Sequence, residues 1–150
     1  MSAYAKMVDV SSKEEVGREA IARGCIKLRK ETIDRIRRGE IEKGDVPTIT
    51  SVVAIESAKL AHLLLPFCHP IKIDYVEPKI SIEDDKLCVE VLVKSRERTG
   101  VEMEALTAVA IALLNVWDMV KKYEKDEEGQ YPYTEITSIK VLKKIKKAEL

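Results

Sequence analysis

The sequence predicts an α+β fold in which one antiparallel sheet carries helices on a single face. Two patterns lead to it. Apolar residues alternate at period two from Ile71 to Val93 with a break at Glu83-Asp84-Asp85, which reads as a hairpin. A longer stretch, Val101 to Tyr123, places Leu106, Val109, Ala110, Leu113, Val116, Trp117 and Val120 on one broad helical face. The length of 150 residues suits one core, so residues 1–150 are read as a single domain.

Taken in order, residues 1–15 are polar and small apart from Met7, Val8 and Val10, and are expected to form a mobile lead-in. From Arg18 to Leu28, Ala20, Ala22, Ile26 and Leu28 alternate with Glu19, Arg23, Cys25 and Lys27. That is a strand pattern, although Gly24 and the alanines keep a helix in competition. Lys30 to Arg38 carries Ile33 and Ile36 at helical spacing and stops at Gly39, as a glycine-capped helix does. Asp45 before Val46-Pro47 reads as an N-cap, and Ile49, Val52, Val53, Ile55, Leu60, Leu63 and Leu64 carry that helix on to Pro66.

Within the hairpin, Pro78 marks the first strand as an edge or a bulge. The long helix follows the turn Ser95 to Gly100, and a loop rich in Asp, Glu and Gly precedes a last strand from about Glu135 to Ile145. The order β-α-α-β-β-α-β reduces to the split βαβ arrangement of a ferredoxin-like two-layer sandwich, with one additional short helix. One sheet face is then left solvated or paired, which makes self-association an expectation.

Composition excludes several classes. Lys+Arg and Asp+Glu number 26 each, and 45% of residues are hydrophobic, which argues against disorder and against a globally basic nucleic-acid binder. The apolar stretch Ala105 to Val116 is too short to span a bilayer, and the N-terminus lacks the pattern of a secretory signal, so a cytoplasmic protein without membrane contact is expected. Cys25, Cys68 and Cys88 are odd in number and widely spaced, which argues for a reducing compartment and against both a disulfide framework and a zinc ribbon. One Asn and one Gln beside abundant Lys, Glu and Ile resemble a thermophile's usage.

Chemistry concentrates in a few places. Pro66-Phe67-Cys68-His69-Pro70 sets a thiol and an imidazole in a backbone fixed by two prolines, and an imidazole there suits general acid-base work. A metal site needs more ligands than this segment offers, so none is expected. Asp118 and Lys121 share one helix face, as either a solvated ion pair or an acid-base couple. Glu102 and Glu104 complement a helix N-terminus, while Thr99-Gly100 could present free amides to an anion. Lys43 beside Gly44 could reach a phosphate without forming a P-loop. The terminal lysines 140, 143, 144, 146 and 147 suit either a nucleic acid or a guarded strand edge.

Together, Met7-Val8-Asp9-Val10-Ser11, Arg18-Glu19-Ala20, Lys43-Gly44-Asp45-Val46, Cys68-His69-Pro70, Thr99 through Leu106 and Asp118-Met119 resemble the molybdenum cofactor biosynthesis protein C family, the cyclic pyranopterin monophosphate synthases. The eight residues from Thr99 are the most specific, and the resemblance covers nearly the whole chain. It implies a pyrophosphate-releasing lyase that converts 3′,8-cyclo-7,8-dihydro-GTP into cyclic pyranopterin monophosphate, in a ferredoxin-like subunit of a homohexamer, a trimer of dimers, with sites at subunit interfaces. Carried over by motif, Asp118 is the catalytic carboxylate, with Lys121, Lys43 and His69 as its acid-base and phosphate-handling partners. Phe67, Cys68, His69, Met103 and Glu104 would line the substrate site, and Arg18 would meet the triphosphate. No organic cofactor is implied, and a divalent ion accompanying the triphosphate is compatible with the resemblance.

The departures are Phe67 for the usual leucine, Trp117 for tyrosine, and the absence of a glycine- and serine-rich lysine motif near the end. The last leaves open which terminal lysine, if any, serves the site. From another class, a ferredoxin-like nucleotide-sensing module without turnover is the alternative, since one fold serves many functions. RNA binding through the sheet ranks lower, because Tyr75 is the only aromatic in the hairpin strands.

Overall fold

A computed structural model describes residues 4–148. The elements are β1 (Val16–Lys27), α1 (Lys30–Arg38), α2 (Val46–Ala58), α3 (Ala61–Leu64), β2 (Ile73–Ile82), β3 (Lys86–Glu97), α4 (Glu102–Glu124) and β4 (Glu135–Lys147). The strands form one antiparallel sheet in the order β2-β3-β1-β4. This is the ferredoxin-like sandwich that the element order predicts, with α2 and α4 packed on the sheet.

Local signals account for most boundaries. Gly39 ends α1 at φ 68°, and its amide and that of Glu40 reach back to the last carbonyls. Asp45 caps α2, its carboxylate accepting from the Thr48 amide at 3.1 Å, worth about 1 kcal/mol. Pro78 lies in β2, an edge strand, and the lysine-rich β4 is the opposite edge.

Two helical readings need correction. The helix from Val46 does not run on to Pro66: Lys59 and Leu60 donate to Glu56 and Ser57 in tight three-residue closures, and α3 restarts as a separate turn. The buried stripe of α4 is also rotated from the expected one. Ala105, Ala108, Ala112 and Met119 are buried beside Val109, Leu113, Val116 and Val120, while Leu106, Ala110 and Trp117 are only half-buried. The packing of α2 on α4 accounts for this, because most of the buried residues of α2, Thr50, Ala54, Ser57 and Ala58 among them, are small, and small residues allow close approach. Gly24 shows the same crowding from the sheet side: a Cβ there would lie 2.8 Å from Ile139 and 2.9 Å from Leu113.

The expectation against a disulfide is overturned. Antiparallel pairing of β1 with β3 sets Cys25 directly opposite Cys88, and the two are bonded with Cα atoms 4.0 Å apart. Sequence separation conceals the pair, because only register brings positions 25 and 88 together. Cysteine usage therefore carries no argument for a reducing compartment. At 23 residues α4 is long and apolar enough to cross a bilayer, contrary to the expectation drawn from its apolar centre alone. Its contacts with α2, β1, β3 and β4 make it the core helix of this fold.

Candidate functional site

All of the predicted site residues except Arg18 fall into two clusters at opposite ends of α4. At its C-terminal end, Lys43 comes from the loop between α1 and α2, where Gly44 takes φ 130°, a conformation that L side chains rarely adopt. The Lys43 Nζ donates to the Asp118 carbonyl at 2.9 Å and to Asp118 Oδ2 at 3.0 Å. From the helix itself, Lys121 Nζ lies 3.2 Å from Asp118 Oδ1. Hydrogen bonds from Lys43 and then Lys121 hold the Asp118 carboxyl below the usual carboxylate range. The carboxylate is thus ionised and flanked by two ammonium groups, in a cleft of about 240 Å³ shared with Glu42, Met119 and Lys122.

At the N-terminal end of α4, the turn after α3 presents Phe67, Cys68 and His69 to Thr99, Gly100, Met103 and Glu104 around a cleft of about 270 Å³. Glu104 is not the exposed dipole partner expected from its position, since it is only 3% exposed. Burial drives its carboxyl pKa upward. The Cys68 thiol donates to Glu104 Oε2 at 3.4 Å. Burial, with the neighbouring Glu104 charge, pushes the thiol up to about 11, so Cys68 is a proton-bearing donor near neutral pH and no ready nucleophile.

The His69 Nε2 lies 2.8 Å from the Val8 carbonyl. A carbonyl only accepts, so Nε2 carries the proton, and in the neutral ring Nδ1 holds the free lone pair. Val8, Val10 and Lys13 complete the wall of this cleft. Residues 4–15 contain no helix or strand, yet part of this segment lies directly on the candidate site. The Met7-to-Ser11 block marks this segment in the sequence, but nothing in the sequence joins it to His69.

Arg18 joins neither cluster. It is buried on β1, with Nε donating to the Glu97 carbonyl at 3.3 Å, beside a groove lined by Asp74, Tyr75, Lys94, Arg96 and Lys147. Among the terminal lysines, Lys144 turns toward the His69 cleft, its Nζ 3.2 Å from Glu102 Oε1. Among the described residues, no group of three or more His, Cys, Asp and Glu side chains converges as metal ligands would.

Glu104 and Asp118 are separated by about 21 Å of helix at 1.5 Å per residue, so one chain does not bring the two clusters to a common small molecule. Fold and site together define a ferredoxin-like α+β protein with a charge-flanked carboxylate at one end of its core helix and a thiol-imidazole-carboxyl cleft at the other. The chain belongs to the MoaC family, whose profile matches residues 7–147. It is 58% identical to the probable cyclic pyranopterin monophosphate synthase of Sulfurisphaera tokodaii over 95% of this chain and 94% of that protein. A probable synthase of the same name from Sulfolobus acidocaldarius is 60% identical over 93% of this chain and 98% of its own. That of Pyrococcus furiosus is 49% identical over 94% and 90%.

Proposed function

We propose that the protein is a cyclic pyranopterin monophosphate synthase of molybdenum cofactor biosynthesis, a lyase that converts 3′,8-cyclo-7,8-dihydro-GTP to cyclic pyranopterin monophosphate and releases pyrophosphate. The observation that carries this reading is the Asp118 carboxylate held between Lys43 and Lys121, together with relatives of that name matched along nearly their whole length. The reaction rearranges rings by proton transfers while a phosphate ester is attacked and pyrophosphate leaves. It needs a carboxylate that stays ionised, a carboxyl that holds its proton, and cations near the developing phosphate charge.

The two clusters supply these roles with opposed environments. Asp118, its pKa lowered by its lysines, is the proton acceptor; Glu104, its pKa raised by burial, is the better suited of the two carboxyls to donate a proton. Lys43 and Lys121 meet phosphate oxygens, His69 Nδ1 accepts a proton, and Phe67, Cys68 and Met103 shape the pocket. Arg18 is a triphosphate ligand in this reading. No organic cofactor takes part, and a divalent ion can enter with the triphosphate.

The working unit in this reading is a homohexamer, a trimer of dimers, in which each site joins the Asp118 end of one subunit to the His69 end of another. Its support is the separation along α4 and the exposed apolar side chains of Val52, Leu60, Leu63, Leu64 and Phe67. The protein acts in the cytoplasm in this reading, on a small-molecule substrate without nucleic acid or membrane. A nucleotide-sensing module without turnover has less support, since recognition of a triphosphate gains nothing from a carboxylate beside its cations.

Purified protein mixed with the cyclised GTP precursor is expected to release pyrophosphate and form the cyclic phosphate; an inert mixture under conditions where another synthase works would refute the assignment. Asp118→Asn is expected to leave fold and assembly intact while turnover drops by at least about a hundredfold, the scale of a lost general base. Near-normal turnover in that variant would remove Asp118 from the reaction.

A further inference from the structure

The loop that carries Lys43 is held against α4 by a residue outside the reacting groups named above. The Glu42 amide, immediately before Lys43, donates to the Tyr123 hydroxyl at 3.0 Å. Tyr123 is fixed in turn, since its half-buried ring packs against the hydrophobic core and the Arg35 guanidinium lies 4.8 Å from its centroid. A second link, the ion pair of Glu42 with Lys122, has both side chains mostly exposed and so contributes little. The rest of the loop has its own anchors in buried Ile41, the Gly44 amide on the Ile41 carbonyl at 3.1 Å, and the Asp45 cap. Loss of the tyrosine hydroxyl therefore leaves the loop attached but frees the peptide next to Lys43.

We propose that Tyr123 is a positioning residue for Lys43: its hydroxyl fixes the Glu42 amide and thereby aims the Lys43 ammonium at Asp118. A lysine on a flexible four-carbon stem reaches one oxygen reliably only if its backbone is held, and here that hold comes about one and a half helical turns beyond the carboxylate it serves. The inference rests on the reading of Lys43 and Asp118 as reacting groups, but the geometry it describes is measurable without any substrate. The charged groups at Asp118 are Lys43 from the loop and Lys121 from α4, with Glu42 and Lys122 lining the same cleft.

The test compares the wild type, Tyr123→Phe, Lys43→Met and the double variant. Phenylalanine keeps the ring and its contact with Arg35 and removes only the hydroxyl. Carbon-13 titration of the Asp118 carboxyl is expected to move upward in Tyr123→Phe, because the nearest cation is no longer held. In the substrate assay kcat is expected to fall about five- to tenfold, the size of one lost positioning hydrogen bond, with the melting temperature nearly unchanged. Added to Lys43→Met, the second substitution is expected to cost nothing more. An unmoved Asp118 titration, or losses that multiply in full in the double variant, would overturn the proposal. Normal turnover in Lys43→Met would instead remove Lys43 from the reacting groups, while the titration still decides whether Tyr123 positions Lys43.

Discussion

Glu104 and Asp118 carry the same functional group on one helix, and their surroundings move them in opposite directions. Burial raises Glu104, whereas Lys43 and Lys121 lower the exposed Asp118. The consequence for stability has a definite sign. A carboxyl whose folded pKa lies above its unfolded value loses folded-state stability as pH rises through the ordinary carboxylate range, because ionisation is easier in the unfolded chain. Glu104→Gln keeps an acceptor for the Cys68 thiol and removes that penalty. Its melting temperature is expected to exceed the wild type by a margin that widens as pH rises through and above the ordinary carboxylate range. A constant or shrinking margin would show that Glu104 is stabilised as a carboxylate. The same variant is expected to lose activity, a case of stability traded against function.

Asp118 shows how far a residue's role is readable in a chain. An Asp and a Lys three residues apart on a helix are ordinary, and spacing alone gives them no duty. What changes their meaning is Lys43, about seventy-five residues earlier, which adds two hydrogen bonds at the same carboxylate residue. The Lys43-Gly44-Asp45 loop was legible as a turn with a cap, but its landing place on α4 was not. The Val8 carbonyl on His69 was illegible for a different reason: a backbone acceptor leaves no mark in residue identity.

At the scale of elements, α4 works as a spacer as well as a core helix. Its buried alanines lie on a helix packed against the small-residue helix α2, and Val109 and Leu113 close over Gly24 of β1. The expected stripe shares Val109, Leu113, Val116 and Val120 with the buried one but counts Leu106, Ala110 and Trp117 in place of Ala105, Ala108, Ala112 and Met119, because the burial of a small residue depends on what packs against it. Gly24 gives a direct test of the packing, since a methyl group there would need three side chains to shift. Gly24→Ala is expected to destabilise the fold by about 1–3 kcal/mol, measured by denaturant unfolding. A neutral effect would show that the seam has room that the close distances deny. Strands, by contrast, were legible in place and order, because period-two alternation is a local property of the chain, although β3 runs on to Glu97 through residues expected to form the turn Ser95 to Gly100.

For the whole molecule, two long-range facts dominate. The Cys25–Cys88 bond ties the central strands across a separation of 63 residues, and a loop of that length gains about 2–4 kcal/mol from closure. Cys25→Ser with Cys88→Ser is expected to lower unfolding free energy by that amount while leaving activity intact. Equal stability of the double variant and the oxidised wild type would show that the bond adds nothing in solution. Disulfides persist in intracellular proteins of hyperthermophiles, so this bond does not by itself place the protein outside the cell.

The second fact is the division of the candidate site between the ends of α4. If each working site joins the Asp118 end of one subunit to the His69 end of another, inactive Asp118→Asn and His69→Ala chains complement each other. Co-refolded in equal amounts, they are expected to recover about a quarter of wild-type turnover, since half of random dimers are mixed and each holds one intact site. No recovery, with mixed dimers verified by mass, would place both clusters' work within one subunit.

Element order, helix caps, edge strands and the mixed-charge, uniformly core-forming composition were determined along the chain, since each depends on neighbours a few residues away. The Cys25–Cys88 pairing, the Lys43 contact with Asp118, the alanine seam and the opposed surroundings of Glu104 and Asp118 were decided by tertiary structure. The physical reason is common to all four. Register, burial and local dielectric come into being only when distant segments pack, and none of them is a property of a residue or its sequence neighbours.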